Sequence, residues 1–573
     1  MKKAAAALCA TAAGFICVLL YIPSWTNPFV LDDIAKIEAN PDLRLPWSLG
    51  LFLYPYAKNA GESRNDPSRP LTFMVYWLCW HAGSGSTVPF HVVSTLLHAM
   101  AAILVGWLAA VAAGRLFRIK PPPAAFGIAA GLFATSPLVA GTVVYAYGLS
   151  DVLSSVFLLA ALALLIRTPK PGPGAQAAAA GFFLLALAAK QSAIVLPALV
   201  IAWDLLTGGP AEMKRRIRLY VPLVLVACFY LAARAFFFGS LGDLEGGQAV
   251  RRAGSYVGMQ GAVILSYLRL LAVPSGLSID HLPAAASFPP WLRLTAWAVV
   301  ATLSLLAVKA GFERTSHPLR RLAGLGWLIF MIALLPTSSI VPTVDLIVER
   351  RAYFAAAGVF IAAAGAGWSL ARRSKAWRSA LLVVVLLAVV SQSALTWHRH
   401  AVYRSPEALW KESLALNPLN RRAWANLGTY YSRVGRWKEA VQAFEKILAA
   451  NPQDGPAWTK LAYVLAQPGY AGRDDRKAIE ALDRGLALNP TNFLGFFNKA
   501  IILLRMDRAL EAEDALRRAV ALSPSYVPAH FMLGEVALRT GRIDEARAHF
   551  RDVLRLNPGD AAATARLRDI GER

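Results

Sequence analysis

The adjacent carboxylates Asp32 and Asp33 are the residues of this chain whose position most clearly suggests chemistry. They lie in the segment Phe29-Val-Leu-Asp-Asp33, directly after the first long apolar stretch. Adjacent carboxylates at the end of a membrane helix are costly beside hydrocarbon, which favours a site over simple packing. Such a pair can bind a metal ion or accept a proton from a hydroxyl that is about to attack. The alternative for an isolated pair is a solvated helix cap.

The composition indicates a membrane domain followed by a polar domain. The chain has 573 residues, of which 56% are hydrophobic, and a mean hydropathy of +0.46, too apolar for one soluble domain. Apolar blocks long enough to cross a bilayer continue to about Trp397. Of the net charge of +24, +17 belongs to residues 1–396 and +7 to the rest. No nucleic-acid-binding motif accompanies the excess of Lys and Arg over Asp and Glu. We therefore attribute this excess to positively charged cytoplasmic loops and to the binding of phosphate groups.

The cysteines and the N-terminal segment lead to two further expectations. Cys9, Cys17, Cys79 and Cys228 lack metal-ligand spacing, so we expect no structural disulfide and no zinc. The chain begins Met-Lys-Lys before a long apolar run, which resembles a signal peptide. Because no clean small-residue cleavage site follows, we interpret the run as a retained first helix.

Eleven stretches are predicted to span the membrane: 4–23, 89–111, 124–142, 147–166, 175–190, 192–207, 217–237, 291–308, 321–340, 353–371 and 378–396. The short basic segments between them predict cytoplasmic loops if residues 257–273 form an interfacial or re-entrant helix inside an external loop, 238–290. The odd number of spans then puts the N-terminus in the cytoplasm and the C-terminal domain in the periplasm or its equivalent. The first external loop, 25–88, carries the acidic pair, which would therefore share that compartment.

Prolines recur at a nearly constant spacing after residue 397. The gaps between Pro418, Pro452, Pro490, Pro524 and Pro558 are 34, 38, 34 and 34 residues. A period of 34 is the signature of tetratricopeptide repeats, and the longer gap predicts an insertion near Gln467–Arg473. We expect a repeat domain over 398–573, with about four full repeats in 421–558 and a capping helix in 560–571. Stacked repeats usually hold a peptide or protein, although a purely structural spacer is the alternative.

Several short motifs follow one another in an order that resembles a known family. They are Phe29-Val-Leu-Asp-Asp33, Asn40-Pro-Asp-Leu-Arg44, Ser68-Arg-Pro-Leu-Thr72, Pro89-Phe-His-Val-Val93, Leu96-Leu-His98, Gly148-Leu-Ser-Asp-Val-Leu153, Ala189-Lys-Gln-Ser192 and Val348-Glu-Arg-Arg-Ala-Tyr353. With the repeats behind them, these motifs resemble the GT-C glycosyltransferases, which draw sugars from polyprenyl phosphates. The chain is similar to one branch: the transmembrane and tetratricopeptide-repeat proteins that O-mannosylate cadherins, and their bacterial relatives.

This resemblance implies an all-α fold. Residues 1–397 would form a polytopic membrane bundle of GT-C type with about eleven transmembrane helices, and 398–573 a tetratricopeptide-repeat α-solenoid. Two motifs depart from the family pattern. Ala189-Lys-Gln191 stands where Ser-Lys-Glu is usual, which removes one acidic group and weakens any metal site there. Glu349-Arg-Arg-Ala-Tyr353 stands where Glu-Arg-Tyr-Leu-Tyr is usual, which keeps Arg350 and Tyr353 available.

The resemblance also implies roles for the acidic pair and for nearby cations. In an inverting transfer, a base activates the acceptor hydroxyl on the face opposite the leaving phosphate. We expect Asp33 to be this base, with Asp32 orienting it or binding a divalent metal. The charge that develops on the phosphate needs cations or hydrogen-bond donors. Four residues at predicted external helix ends are candidates, each with an interfacial anchor as its alternative: Arg69, Lys190, Arg350 and Arg351.

Six further residues could contact the sugar or support the site: His91, His98, Asp151, Asp280, Glu349 and Tyr353. Packing inside a helical bundle is the alternative for the two histidines, and a helix N-cap is the alternative for Asp151. Asp280 lies in the external loop 238–290, where it could reach the sugar.

We therefore expect a glycosyltransferase of the bacterial inner membrane. Its donor would be a polyprenyl-phosphate sugar, with mannose or a similar hexose, and its acceptor a hydroxyl on an exported protein held by the repeats. One alternative is transfer to a lipid or surface glycan. Another is a non-catalytic scaffold that recruits periplasmic proteins through its repeats. The scaffold has no need of Asp32, Asp33 or Lys190, whereas the enzyme requires at least the first-loop acid.

Overall fold

The chain folds into two compact units, residues 1–412 and 413–573, in the computed structural model. The structure describes residues 2–53, 66, 68–168, 170–238, 253–281, 288–313, 315–338, 343 and 345–571. Within these ranges the secondary structure is helical, and the sole β contact is an isolated antiparallel bridge between His281 and Ile347. The predicted all-α class is therefore confirmed.

The first unit is a bundle of helices of very unequal length. Its helices are α1 Lys2–Tyr21, α2 Leu49–Leu53, α3 Pro70–Ala82, α4 Val88–Leu116, α5 Pro123–Thr135, α6 Pro137–Val143, α7 Leu149–Ile166, α8 Pro173–Ala189, α9 Leu196–Gly208, α10 Pro210–Arg215, α11 Ile217–Phe238, α12 Ala253–Ala272, α13 Pro290–Phe312, α14 Pro318–Leu334, α15 Ala352–Ala371 and α16 Lys375–Tyr403. A further helix, α17 Pro406–Leu416, crosses the division between the units.

Eight helical stretches in the described residues are long and apolar enough to cross a membrane: Ala4–Ser24, Val88–Leu116, Ala146–Ile166, Gln191–Gly208, Ile217–Phe237, Pro290–Phe312, Glu349–Ala371 and Lys375–Tyr403. Each coincides with a predicted span, so the chain is a membrane protein. Helices α5 and α6 form a ninth span if they are counted together, although they meet at an angle of 60°. The break falls at Ser136, whose extended backbone is the conformation favoured before a proline such as Pro137.

The other two predicted spans, 175–190 and 321–340, lack a full-length membrane helix in the described residues. They contain α8 and α14, which have 17 residues each. Arg320 and Arg321 occupy the first turn of α14 and shorten its apolar part. The eleven predicted spans thus correspond to eight full-length helices, one bent pair and two shorter helices. Between them, α12 covers the segment predicted to be interfacial or re-entrant, and its apolar part, Tyr256–Ala272, is also short.

Close helix contacts fix the position of α15. A Cβ atom on Gly326 of α14 would lie 2.5 Å from the carbonyl oxygen of Gly358 on α15. The backbones therefore approach closely only because both residues are glycine. At the start of α15, Tyr267 of α12 accepts a hydrogen bond of 2.8 Å from the Val348 amide. Together these contacts hold the Glu349–Arg351 turn, which precedes α15.

Three arginines collect at the other end of the bundle, where α7 and α9 finish. Arg115 donates to the Ile166 carbonyl, and Arg321 donates to the Leu205 carbonyl at 3.3 Å. Arg216 forms a buried ion pair with Asp204, which also accepts a hydrogen bond from Tyr220. Cations at helix C-termini satisfy the last carbonyls and oppose the helix dipole. This end of the bundle is therefore rich in arginine.

The second unit consists of four helix pairs and a final helix: α18 Arg421–Arg433, α19 Trp437–Ala450, α20 Gly455–Leu465, α21 Asp475–Leu488, α22 Phe493–Arg505, α23 Ala509–Leu522, α24 Val527–Arg539, α25 Ile543–Leu556 and α26 Ala561–Asp569. Four pairs and a cap are what the proline spacing predicts. The predicted insertion lengthens the link between α20 and α21. Within the last pair, Gly534 lets α24 approach the ring of Phe550 on α25.

The substitution Gly534→Ala should destabilise the repeat domain. The added Cβ would lie 2.7 Å from a ring carbon of Phe550, and overpacking of this kind costs about 1–3 kcal/mol. Thermal unfolding of the detergent-solubilised chain, followed by circular dichroism, should show a lower midpoint for the repeat transition. Gly559→Ala is the matched control, since a Cβ there meets nothing within 4 Å. Equal midpoints for the two variants would contradict the packing described.

Candidate functional site

Asp33 is buried in a tight turn between α1 and α2. Its backbone N–H donates to the Val30 carbonyl at 3.0 Å, and its Oδ2 accepts from the Val30 N–H at 3.1 Å. Its Oδ1 accepts from the Tyr147 N–H at 2.7 Å. Within the turn, Leu31 has a φ of +52°, a conformation that costs a bulky residue about 1–3 kcal/mol. The Asp33 carboxylate therefore holds a strained turn against the segment that links α6 to α7.

The environment of Asp33 favours its protonated form. Burial raises the pKa of this carboxyl to about 8, and the neighbouring Asp32 carboxylate acts in the same direction, while the backbone hydrogen bonds oppose the shift. A group with this pKa exchanges its proton near physiological pH. Asp33 as a whole residue is only 1% exposed, so its carboxyl proton has little access to solvent.

Asp32 occupies a different environment, although it is the next residue. Its side chain is 43% exposed. Its Oδ2 accepts a hydrogen bond of 2.9 Å from the Tyr145 hydroxyl and lies 3.6 Å from Nη1 of Arg350. The Asp32 N–H in turn donates to the Tyr145 oxygen at 3.2 Å. Asp32 is thus oriented by two partners and remains accessible.

Tyr147 connects the acidic turn to two of the predicted cations. Its hydroxyl accepts a hydrogen bond of 3.0 Å from Nη1 of Arg69, and the guanidinium of Arg350 lies 5.4 Å from its ring centroid. Tyr76 of α3 donates to the Tyr147 carbonyl at 3.1 Å. Arg69 is buried, and its Nε also lies 3.2 Å from Asp66 Oδ2. These contacts make Arg69 a fixed support of the site.

Lys190 lies where α8 ends and the chain turns towards α9. Its Nζ is 2.6 Å from Oδ1 of Asp151, and both side chains are about nine-tenths buried. The second oxygen of Asp151, Oδ2, is buried without a hydrogen-bond partner in the described part of the chain. A small cavity of about 30 Å³ opens beside this pair. Its polar lining includes Asp151, Lys190, Ser192, Arg350 and Arg351.

Three of the four predicted phosphate-binding cations therefore line one cavity, and the fourth, Arg69, supports it through Tyr147. Arg351 is partly committed, because its Nη1 donates to the Asp345 carbonyl at 2.9 Å. Asp151 reaches the same cavity from the first turn of α7. Its side chain pairs with Lys190 and makes no capping hydrogen bond, unlike the N-cap alternative.

Glu349 and Asp280 belong to a neighbouring structural cluster. Glu349 is buried, and its oxygens lie 2.8 Å from His281 Nε2 and 2.8 Å from Arg399 Nη2. Arg399 also pairs with Glu412. Asp280 lies in the same loop, where its N–H donates to the Ser278 hydroxyl. The carboxylate of Glu349 is thus fully engaged in holding this loop and α16, so we assign it a structural role.

The two histidines and Tyr353 pack inside the bundle. His98 Nδ1 lies 2.9 Å from the Tyr353 hydroxyl, and its Nε2 lies 3.3 Å from the Ala134 carbonyl oxygen. His91 Nε2 lies 3.2 Å from the Asn27 carbonyl oxygen. All three residues are buried. These contacts agree with the packing alternative and give no contact to the acidic turn.

The acidic pair offers poor ligands for a divalent metal. Both oxygens of Asp33 accept backbone N–H groups, which leaves Asp32 as the one accessible carboxylate. The cation of Arg350 already lies beside Asp32. A Mg²⁺ or Mn²⁺ ion would need more oxygen ligands than this pair can supply. The residues at this turn do not fit a metal, and we derive no step through one.

Sequence reasoning missed the two tyrosines that organise the site. Tyr145 and Tyr147 sit in the short link Val144-Tyr-Ala-Tyr-Gly148 between α6 and α7. Aromatic residues between apolar helices are expected to be core or interface residues. The available signal was their position immediately before the Gly148-Leu-Ser-Asp151 motif.

Comparison with known proteins supports the predicted resemblance. Tetratricopeptide-repeat families match residues 407–464, 463–527 and 497–561. A protein O-mannosyl-transferase of Caenorhabditis elegans is 24% identical over 446 residues, which cover 76% of this chain and 61% of that protein. Protein O-mannosyl-transferase TMTC4 of Homo sapiens is 24% identical over 487 residues, covering 75% of this chain and 65% of that protein.

A third relative, protein O-mannosyl-transferase TMTC3 of Mus musculus, is 22% identical over 74% of this chain and 49% of its own length. The chain thus spans less than two thirds of the length of these relatives. Among solved structures, the crystal structure of MamA is 21% identical over 27% of this chain and 89% of its own chain, with a TM-score of 0.25. The relatives that match about three quarters of this chain are thus protein O-mannosyl-transferases.

The pKa of Asp33 predicts how stability depends on pH. Unfolded, this carboxyl has a pKa of about 3.9, whereas burial raises the folded pKa to about 8. The folded chain therefore retains a proton that the unfolded chain loses, and stability falls as pH rises between these values. Asp33→Asn removes the titrating carboxyl and with it this pH dependence. Its melting temperature in detergent should improve relative to wild type as pH rises from about 5 to 8.5. A constant difference would contradict the shifted pKa.

Proposed function

We propose that this chain is a membrane glycosyltransferase that moves a sugar from a polyprenyl phosphate to hydroxyls of an exported protein. One observation carries this proposal: the accessible, oriented carboxylate of Asp32 lies beside Arg350, which also lines the cavity that contains Lys190. A base next to a cationic pocket suits the transfer of a group away from a phosphate. The similarity to protein O-mannosyl-transferases supports mannose as the sugar and a protein as the acceptor.

We assign the role of base to Asp32 and a positioning role to Asp33, which reverses our expectation for the pair. The base must touch the acceptor hydroxyl. Asp32 has the exposure for this contact, and its Oδ1 has no partner among the described residues. Asp33 is buried, and backbone amides occupy both of its oxygens. Its raised pKa would suit a base, but its burial argues against contact with an acceptor.

In the proposed reaction, Asp32 takes the proton of the acceptor hydroxyl as the oxygen attacks the anomeric carbon. The bond from that carbon to the phosphate oxygen breaks, and the electron pair leaves with the phosphate. Arg350 and Lys190 would offset the charge that develops there. The anomeric configuration is inverted, since attack and departure occur on opposite faces.

The proposed location is the extracytoplasmic face, with the N-terminus in the cytoplasm. The acidic turn, Lys190 and Arg350 lie at one set of helix ends, whereas the exposed cations Arg118, Lys120 and Arg218 lie at the opposite end of the bundle, beside the end of α4 and the start of α11. Basic residues favour the cytoplasmic side. The repeat domain would then bind the acceptor in its groove on the side where the reaction occurs.

Replacing the base should strongly reduce transfer. Membranes containing the chain would receive radiolabelled polyprenyl-phosphate mannose, and label on protein would be counted. Asp32→Asn should lose at least about 100-fold, the scale of general base catalysis. Asp33→Asn should retain more activity at permissive temperature. Glu38→Gln, an exposed acid on the same loop, is the matched control. If Asp33→Asn lost transfer activity while Asp32→Asn kept it, Asp33 would be the base and Asp32 the positioning residue. If wild type transferred no sugar from any donor, the scaffold alternative would be favoured.

A second comparison tests whether Lys190 contacts the donor phosphate. Lys190→Met leaves the Asp151 carboxylate buried without a partner, which can destabilise the fold by itself. The double variant Lys190→Met with Asp151→Asn removes that problem. If Lys190 contacts the phosphate, transfer should stay at least about 10-fold low in both variants, consistent with loss of a charged hydrogen bond. Recovery in the double variant would mean that Lys190 serves only to neutralise Asp151.

A further inference from the structure

The last helix pair of the repeat domain brings together three side chains that can ligate a metal. His530 lies on α24, and His549 and Asp552 lie one turn apart on α25. One ligand atom from each residue lies within 4.8 Å of the other two. The cluster is in the polar domain, far along the chain from every residue assigned to transfer.

His530 is held in the orientation of a metal ligand. Its Nε2 lies 3.0 Å from the Pro524 carbonyl oxygen, so the ring donates its N–H there and keeps a lone pair on Nδ1. That Nδ1 is buried without a hydrogen-bond partner in the described residues. The side chain is 7% exposed. Metal-ligating histidines almost always donate their second ring nitrogen to a carbonyl or carboxylate in this way.

His549 supplies a second unsatisfied nitrogen. Its Nδ1 is also buried and has no hydrogen-bond partner within the described ranges. The His530 and His549 ring centroids are 6.2 Å apart. Two adjacent imidazoles that each leave a buried nitrogen unpaired are costly in a packed domain. A cation between them would satisfy both.

Asp552 keeps one oxygen available. Its Oδ1 accepts from Arg555 at 2.7 Å, while its Oδ2 lies 3.7 Å from Nδ1 of His530. The nearby carboxylate of Glu545 is already engaged, since its oxygens lie 3.0 Å from Arg517 and 2.8 Å from Arg542. The donor set that remains is two imidazole nitrogens and one carboxylate oxygen.

We propose that His530, His549 and Asp552 form a site for a divalent first-row transition metal of the Zn²⁺ class. Imidazole and carboxylate ligands suit Zn²⁺, which takes four ligands, so one position stays open. Tetrahedral ligands lie about 3.4 Å apart at the usual bond lengths, so the side chains must close inwards by about an ångström. The bound metal joins α24 to α25. Our expectation of no zinc considered only cysteine spacing, which cannot detect this cluster.

Cobalt binding tests the site without any assay of transfer. The full chain, purified in detergent without a histidine tag, would be titrated with Co²⁺. Visible absorption would report the ligand field of the bound ion, and equilibrium dialysis would report the number of ions bound per chain. We expect saturation at about one Co²⁺ per chain and competition by Zn²⁺. His549→Gln and Asp552→Asn should each weaken binding at least about 10-fold. His81→Gln, an exposed histidine in the first unit stacked on Trp77, should bind as wild type does.

Thermal unfolding separates loss of ligands from loss of fold. Without metal, Asp552→Asn should unfold at the wild-type temperature, because its partner Arg555 is exposed. Zn²⁺ should raise the unfolding temperature of wild type, and a chelator should reverse this effect, since a ligand of the folded state alone stabilises it. Two results would overturn the proposal: no saturable binding by wild type, or binding unchanged in the double variant His530→Ala with His549→Gln. Either would make the cluster a packing contact only.

Discussion

The hydrogen bonds from the Val30 and Tyr147 amides to Asp33 are the interactions on which the rest of the site depends. A buried carboxyl is costly unless it is hydrogen-bonded, and here each oxygen has one backbone donor. The first bond closes the turn that contains the strained Leu31. The second fixes Tyr147, which in turn contacts Arg69 and Arg350. The acidic turn, the tyrosine link and the cations therefore form one connected group.

Charge balance around the cavity follows from desolvation. Lys190 is paired with Asp151, and Arg350 is shared between Asp32 and the Tyr147 ring. A buried unpaired charge would cost several kcal/mol, which explains why the site holds its cations beside carboxylates. In the proposed reaction, the phosphodiester of the incoming donor would compete with those carboxylates. This competition favours binding that strengthens as charge develops on the leaving phosphate, which is where a transferase gains rate.

The sequence predicted most of the architecture because its signals are long. Long apolar runs predict the membrane helices, and the 34-residue period predicts the repeats. Neither pattern depends on the identity of any single residue. The site depended on local backbone conformation, which the residue types do not reveal. Leu31 is an ordinary leucine in the sequence, yet its left-handed φ separates the environments of Asp32 and Asp33. Likewise, His530 lies 19 residues before His549, and only the packing of α24 on α25 makes them neighbours.

The orientation proposed for the bundle rests on a subset of its basic residues. Arg115, Arg216 and Arg321 each donate to a carbonyl near the end of a helix, and that role would stabilise the fold on either side of a membrane. Their location is therefore explained by packing. Arg118, Lys120 and Arg218 are exposed at the same end of the bundle. Because exposed cations gain little from packing, these three carry the argument for the proposed orientation, in which their end of the bundle is cytoplasmic and the acidic turn lies outside.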